Sequence, residues 1–337
     1  MTSAGALTLT RDPQNGLPAG TTLGVVSDSW TYNSFGEPTG YTATVSGSPI
    51  LSVTYTRDKL GLIETKNETI QGVTDAFVYS YDQAARLSDV TKNGELISHH
   101  EYDLNGNRLF STMLGSTVTY THDDQDRLLL QAAGPSPQSP TDYAYTANGE
   151  LLTKTIGTDT TTSNYDVQGN LIGVTLPNNT EVEYIVDALN RRIGKKVNGA
   201  LVQGFLYQDG LKPIAELDGA NQVVSRFIYA GKANVPEYMI KGGATYRIVT
   251  DPLGSPRLVI HTATRQVVQR MDYDEFGNVS VDTNPGFQPF GFAGGLYDPD
   301  TKLAGLARES TCLYRSVAEP RSNRRTRRAE PLRLCRQ

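Results

Sequence analysis

The chain has 337 residues, with 32 Gly, 18 Tyr, a single Trp and a formal net charge of −5. No run approaches eighteen consecutive apolar residues and the opening "MTSAGALTLT" lacks a basic-then-apolar order, so neither a transmembrane helix nor a signal peptide is expected. From Arg308 on there are nine Arg, no Lys and three Glu, which leaves 22 basic and 33 acidic residues before it; this acidic body, free of the two cysteines Cys312 and Cys335, argues against a nucleic-acid surface, a disulfide framework or a thiolate metal site.

In chain order, one short pattern recurs: a Tyr-rich stretch, an Asp or Asn, a few turn residues, then an apolar restart. Copies begin at Asn33 ("WTYNSFGEPTG"), Asp58, Asp82 ("VYSYDQAARLSDV"), Asp103, Asp123, Thr146, Asp166 and Asp187, roughly 20 to 25 residues apart. A degenerate form follows at "FLYQDGLKPIAEL", and a clear late copy at "MDYDEFGNVSV" with Asp274. Each unit reads as strand, turn, strand. Tyr79 and Tyr81, two apart, place both rings on one face of a strand. The Asp side chain starts the turn by accepting a backbone N–H two residues on. Gly36, Gly61, Gly106, Gly149, Gly169 and Gly277 supply a residue that tolerates positive φ. The exit strand restarts at Leu87, Leu109, Leu128 or Leu171.

A lone hairpin is marginal in water, whereas many hairpins paired edge to edge build a long sheet that buries a face by curling or stacking. The gaps are rich in Thr, Ser, Val and Gly, as in "TIGTDTTTSNYD", and show no sustained 3.6-residue apolar period. The sequence therefore predicts an all-β protein of repeated hairpins in one long curled sheet.

The serial Tyr-Asp-turn-Arg-Leu phrase resembles the YD repeat of the RHS family, which teneurins and bacterial wall-associated proteins share. "TDPLGSPRLVI" from Thr250, "RMDYDEFGNVS" from Arg270 and "QPFGFAGGLYDPDT" from Gln288 resemble the RHS repeat-associated core. The division expected is 1–240 repeats, 241–301 core-like segment and 302–337 a basic tail outside the family pattern, expected to be disordered. The resemblance implies part of a β-cage. In complete bacterial relatives, secreted or cell-surface, such cages enclose a C-terminal toxin that the core cuts free.

The tail has three readings: a short variable toxin, a basic nucleic-acid-binding arm, or out-of-frame translation. The last is favoured, because one coding of Leu313–Ala318 shifted by a base reads Ser-Ile-Gly-Arg-Trp, the segment the family resemblance implies there. The cleavage motif is then missing.

Several residues invite a catalytic or metal reading and receive a plainer one. The repeated aspartates lie a whole hairpin apart, not at metal-ligand spacing. In "THDDQD", His122 takes the Tyr position and Asp123 the turn position. His99 and His100 are adjacent on a strand, face opposite sides and are expected at the surface. Asp298 and Asp300 read as the turn of a further hairpin, and Asp251 and Asp274 as turn residues. No nucleophile motif or phosphate loop occurs. The expectation is therefore no catalytic, cofactor-binding or metal residue, and a non-catalytic shell fragment. Its partners would be other shell segments or an encapsulated toxin, with no nucleic acid and no membrane span. The alternatives are a carbohydrate-binding or adhesive envelope protein, or a decayed gene fragment.

Overall fold

The computed structural model describes residues 2–113, 115–134 and 139–305. The strands from Ser3–Ala4 to Val279–Asp282 form one 27-stranded sheet. Every strand runs antiparallel to the next one in the chain, so the sheet is a continuous meander. A separate hairpin, Leu296–Asp298 with Leu303–Gly305, follows. Among the described residues the only helical element is a 3-10 turn at Phe292–Gly294. The all-β expectation holds.

The repeat earns its regularity at the turn. Asp82 Oδ1 accepts the N–H groups of Ala84 and Arg86, both at 2.9 Å. Asp58, Asp123, Asp166, Asp187 and Asp274 repeat this pair of bonds two and four residues on. The second oxygen of Asp82 takes the Arg86 Nε at 2.6 Å, and Asn170 fills that role for Asp166. The fourth turn residue must be left-handed: Gly61 has φ 83°, whereas Ala85 is held there at φ 62° without being glycine. The ladder then slips by one residue at the Tyr-Asp step, as at Ser80/Tyr81 and Glu101/Tyr102. That bulge sharpens the local twist of each unit.

The tyrosines link one unit to the previous one. The hydroxyls of Tyr81, Tyr102, Tyr145, Tyr165, Tyr207 and Tyr229 donate to the carbonyls of Ile63, Leu87, Leu128, Leu151, Arg192 and Pro213 at 2.8–3.0 Å. The guanidiniums of Arg86, Arg127 and Arg191 lie 4.8–5.1 Å over the rings of Tyr102, Tyr145 and Tyr207. A ring thus fills the half-buried face while its polar tip satisfies a neighbouring carbonyl. Replacing Tyr102 by Phe should cost about 0.5–1.5 kcal/mol and raise amide exchange around Leu87. An unchanged denaturation midpoint would mean that water replaces the bond without loss.

Leu87, Leu128, Leu151 and Leu171 face the Tyr position across each bulge. In the unit beginning at Asp103 that place belongs to Arg108, opposite Tyr102, and Leu109 is exposed. The expectation for Leu109 is corrected: the unit carries an arginine in the slot its neighbours give to leucine.

The sheet rolls up on itself. Val249, Leu258 and Ile260 pack against Val26, Tyr41, Ala43, Leu51, Val53 and Ile70, far earlier in the chain. Pro256–His261 consequently reads almost wholly buried, since both of its faces are covered. A second core joins Phe205, Phe227, Met239, Ile248, Val259 and Phe290, and Leu7 and Leu23 close on Tyr238.

Candidate functional site: charged fasteners where the sheet closes

Three buried cations hold the late strands to earlier parts of the sheet. Arg247, on Ala244–Thr250, has a side chain only 1% exposed. It donates to Asp28 Oδ2 at 2.6 Å, to Thr21 Oγ1 at 2.9 Å and to Glu237 Oε2 at 3.0 Å. Asp28 also accepts from the Thr21 N–H and the Tyr41 hydroxyl, and Glu237 lies 3.3 Å from Lys232. Both carboxylates of this cluster meet several donors, which a buried ion pair requires if it is not to destabilise, while the Arg247 Nε is left without a partner.

Arg257, on Pro256–His261, grips both oxygens of Glu68 at 2.6 and 3.0 Å, a forked pairing that only a guanidinium makes. It also donates to Asp272 Oδ1 and the Met271 carbonyl. Lys195 Nζ lies 2.6 Å from Asp298 and 2.5 Å from Asp300, and Asp298 accepts from the Tyr184 hydroxyl at 2.7 Å. Leu303 packs on Val174, Val182 and Tyr184, so this cluster seats the last hairpin on the middle of the sheet.

Burial pushes the carboxyls of Glu68, Glu237, Asp272 and Asp298 up, but their cationic partners outweigh it and hold each below its ordinary value. For Glu68 the outweighing partner is Arg257, through hydrogen bonds and charge. A depressed folded pKa gives stability that is complete above the unfolded value, about 4, and is lost as pH falls through the folded one. Acid should therefore loosen the closure below about pH 4, before the meander itself melts. Exchange-rate mapping would show amides of 246–260 and 26–57 losing protection together; uniform loss along the chain would refute that order.

The family model for the teneurin YD-shell matches residues 1–314. The chain belongs to the teneurin YD-shell family. Human Teneurin-4 is 26% identical over 70% of this chain, and chicken (Gallus gallus) Teneurin-1 is 28% identical over 68%. The tRNA3(Ser)-specific nuclease WapA of Bacillus spizizenii is 28% identical over 29% of the chain. The match is to small parts of those proteins: 8% of each teneurin and 4% of the nuclease. Among solved structures, the Photorhabdus luminescens Tc holotoxin pore superposes with a TM-score of 0.51 at 13% identity. That likeness covers 88% of this chain and 19% of the other, and it concerns the fold.

Within this YD-shell chain the residues singled out from the sequence fall as follows. Asp251 and Asp274 serve their turns, accepting from Leu253 and Ser255 and from Phe276 and Asn278. His122 faces Leu128 in the Tyr position, and Asp123 caps its turn. Asp298 does form a hairpin turn, accepting the Asp300 N–H, yet its carboxylate also holds Lys195 and Tyr184. Turn register alone does not account for it. His99 and His100 do face opposite ways: His99 bonds Asp89 at 2.7 Å, and His100 bonds Ser111 at 2.8 Å. The surface expectation fails for His100, which is buried beneath Phe276 of a distant turn. No alternation pattern could reveal that, because the covering ring lies 176 positions away in sequence.

The hairpin strand Leu303–Gly305 carries the shell pattern past Lys302, and the family match runs to Tyr314. The remainder of the basic tail, 306–337, with both cysteines, lies outside the described residues. No helix among the described residues is long and apolar enough to cross a membrane.

Proposed function

We propose that this YD-shell chain is a non-catalytic segment of a bacterial cage that, with further segments, encloses a C-terminal toxin. The observation that carries the reading is the rolled meander, fastened internally by Arg247, Arg257 and Lys195, in a chain that the shell family matches from end to end of its described residues. The fold likeness to a Tc holotoxin component supports a toxin-linked setting. The buried Lys195, Arg247 and Arg257, with the carboxylates they meet, are engaged in holding strands together. Association with neighbouring shell segments would use the outer edge of Val279–Asp282, which has no partner strand among the described residues.

The adhesive alternative needs free aromatic faces. Six of the repeat tyrosines already give their hydroxyls to carbonyls, and three lie under guanidiniums, which favours a packing role.

Co-expression of the chain with the polypeptide encoded immediately downstream tests the proposal. Limited proteolysis should spare that polypeptide only when the chain is present, and equal digestion in both cases would defeat enclosure. Intact mass spectrometry tests the other half: the purified chain should keep its 36.7 kDa through days at neutral pH. A discrete, protease-free cut would reveal an active site.

A further inference from the structure

We infer that Arg108 forms one wall of a site for a small monovalent anion, enclosed between the strands Glu95–Tyr102 and Arg108–Met113 and the turn that carries Phe276. Four Lys or Arg residues are buried among the described residues: Arg108, Lys195, Arg247 and Arg257. The last three each hold two carboxylates. Arg108, only 2% exposed, pairs with none among the described residues; it bonds the Tyr102 hydroxyl and lies 5.4 Å from the centroid of the Tyr120 ring. It also occupies the slot that the two adjacent units fill with Leu87 and Leu128, a slot that Arg192 takes in the unit beginning at Asp187.

Several buried polar atoms here lack a protein partner. Arg108 Nε and Nη2 are buried without a partner, and so are His100 Nε2 and Ser98 Oγ on the neighbouring strand. The Arg108 guanidinium and the His100 ring both lie on Phe276, 4.1 and 5.0 Å from its centroid, so the two side chains are held together beneath one lid. The nearby Asp89 is already engaged by His99 and Ser88. A guanidinium cannot shed its proton, and a buried charge without a counter-charge is strongly destabilising. Water would satisfy the hydrogen bonds but not the charge. Arg108, His100 and Ser98 are each no more than 3% exposed, so an occupant between them is sealed from solvent and small. The same site accounts for the neutral histidine: burial first, then Arg108 and His99, push His100 down to about 4 when no anion is present.

The test compares thermal unfolding of the full chain in sodium gluconate with unfolding as gluconate is replaced by bromide at constant ionic strength. The midpoint should rise by roughly 2–4 °C and then level off, as binding to the folded state alone requires. Arg108→Leu, which restores the repeat's own residue, should be as stable in gluconate and show no bromide response. A wild-type midpoint indifferent to bromide, or an equal response in Arg108→Leu, overturns the site. Should that variant not fold, NMR titration of His100 in the wild-type chain decides: bromide should move its pKa upward, and an unmoved titration overturns the inference.

Discussion

Arg247→Ala is expected to unfasten the rolled sheet, at a cost of about 3–5 kcal/mol. The substitution deletes a guanidinium that bridges Asp28 and Thr21 to Glu237 across more than two hundred residues of chain. Asp28 and Glu237, with side chains only 3% exposed, are left facing each other without the positive charge between them. Loss of the pair's attraction is the smaller part; the larger part is Asp28 left in the interior with only the neutral donors of Thr21 and Tyr41, while Glu237 keeps Lys232. Arg247→Met in an Asp28→Asn background should therefore cost less than Arg247→Met alone, a sub-additivity that reports direct coupling. Urea unfolding followed by the single Trp30, which packs on the core that Arg247 seals, measures it. A loss below about 1 kcal/mol would place this cluster with ordinary surface pairs.

Asp298→Ala is expected to cost about 3 kcal/mol and to act locally. Its side chain is fully buried, and it joins Lys195 to Tyr184 while capping its own turn. Without it, Lys195 keeps only the half-exposed Asp300, and the Tyr184 hydroxyl keeps Thr301. The hairpin 296–305 should lose amide protection first, followed by Leu303 leaving its seat on Val174 and Val182. Protection in the first hundred residues should hardly change. A uniform loss would show that the hairpin is part of the global cooperative unit.

The two variants probe what the sequence disclosed least. The repeat was readable because its causes are local: an aspartate bonding N–H groups two and four residues on, and a glycine at positive φ, act within one turn. Hence all-β architecture and the positions of Gly36, Gly61, Gly106, Gly149, Gly169 and Gly277 follow directly, and all six have positive φ. The reach of each Tyr hydroxyl to the previous unit was hidden, although the fixed spacing carried the signal. The fasteners left no such trace. Nothing near Glu68 marks Arg257 as its partner, and Asp298 satisfied a turn rule well enough to conceal a second role. The placement of His100 depended on how tightly the sheet rolls, a quantity that no single repeat encodes.

The meander and its fasteners also differ in when they can form. Strands that pair only with the next strand close short loops, so the sheet can grow hairpin by hairpin as the chain is made. Asp28 and Arg247 are separated by 219 residues. At ribosomal rates of about 5–20 residues per second, that is a delay of roughly 10–45 s. For that interval the growing sheet is an open, unsealed ribbon whose newest strand is always an exposed edge. Sealing falls to the last-made strands, so the order of synthesis itself keeps the structure open until its final segment has arrived.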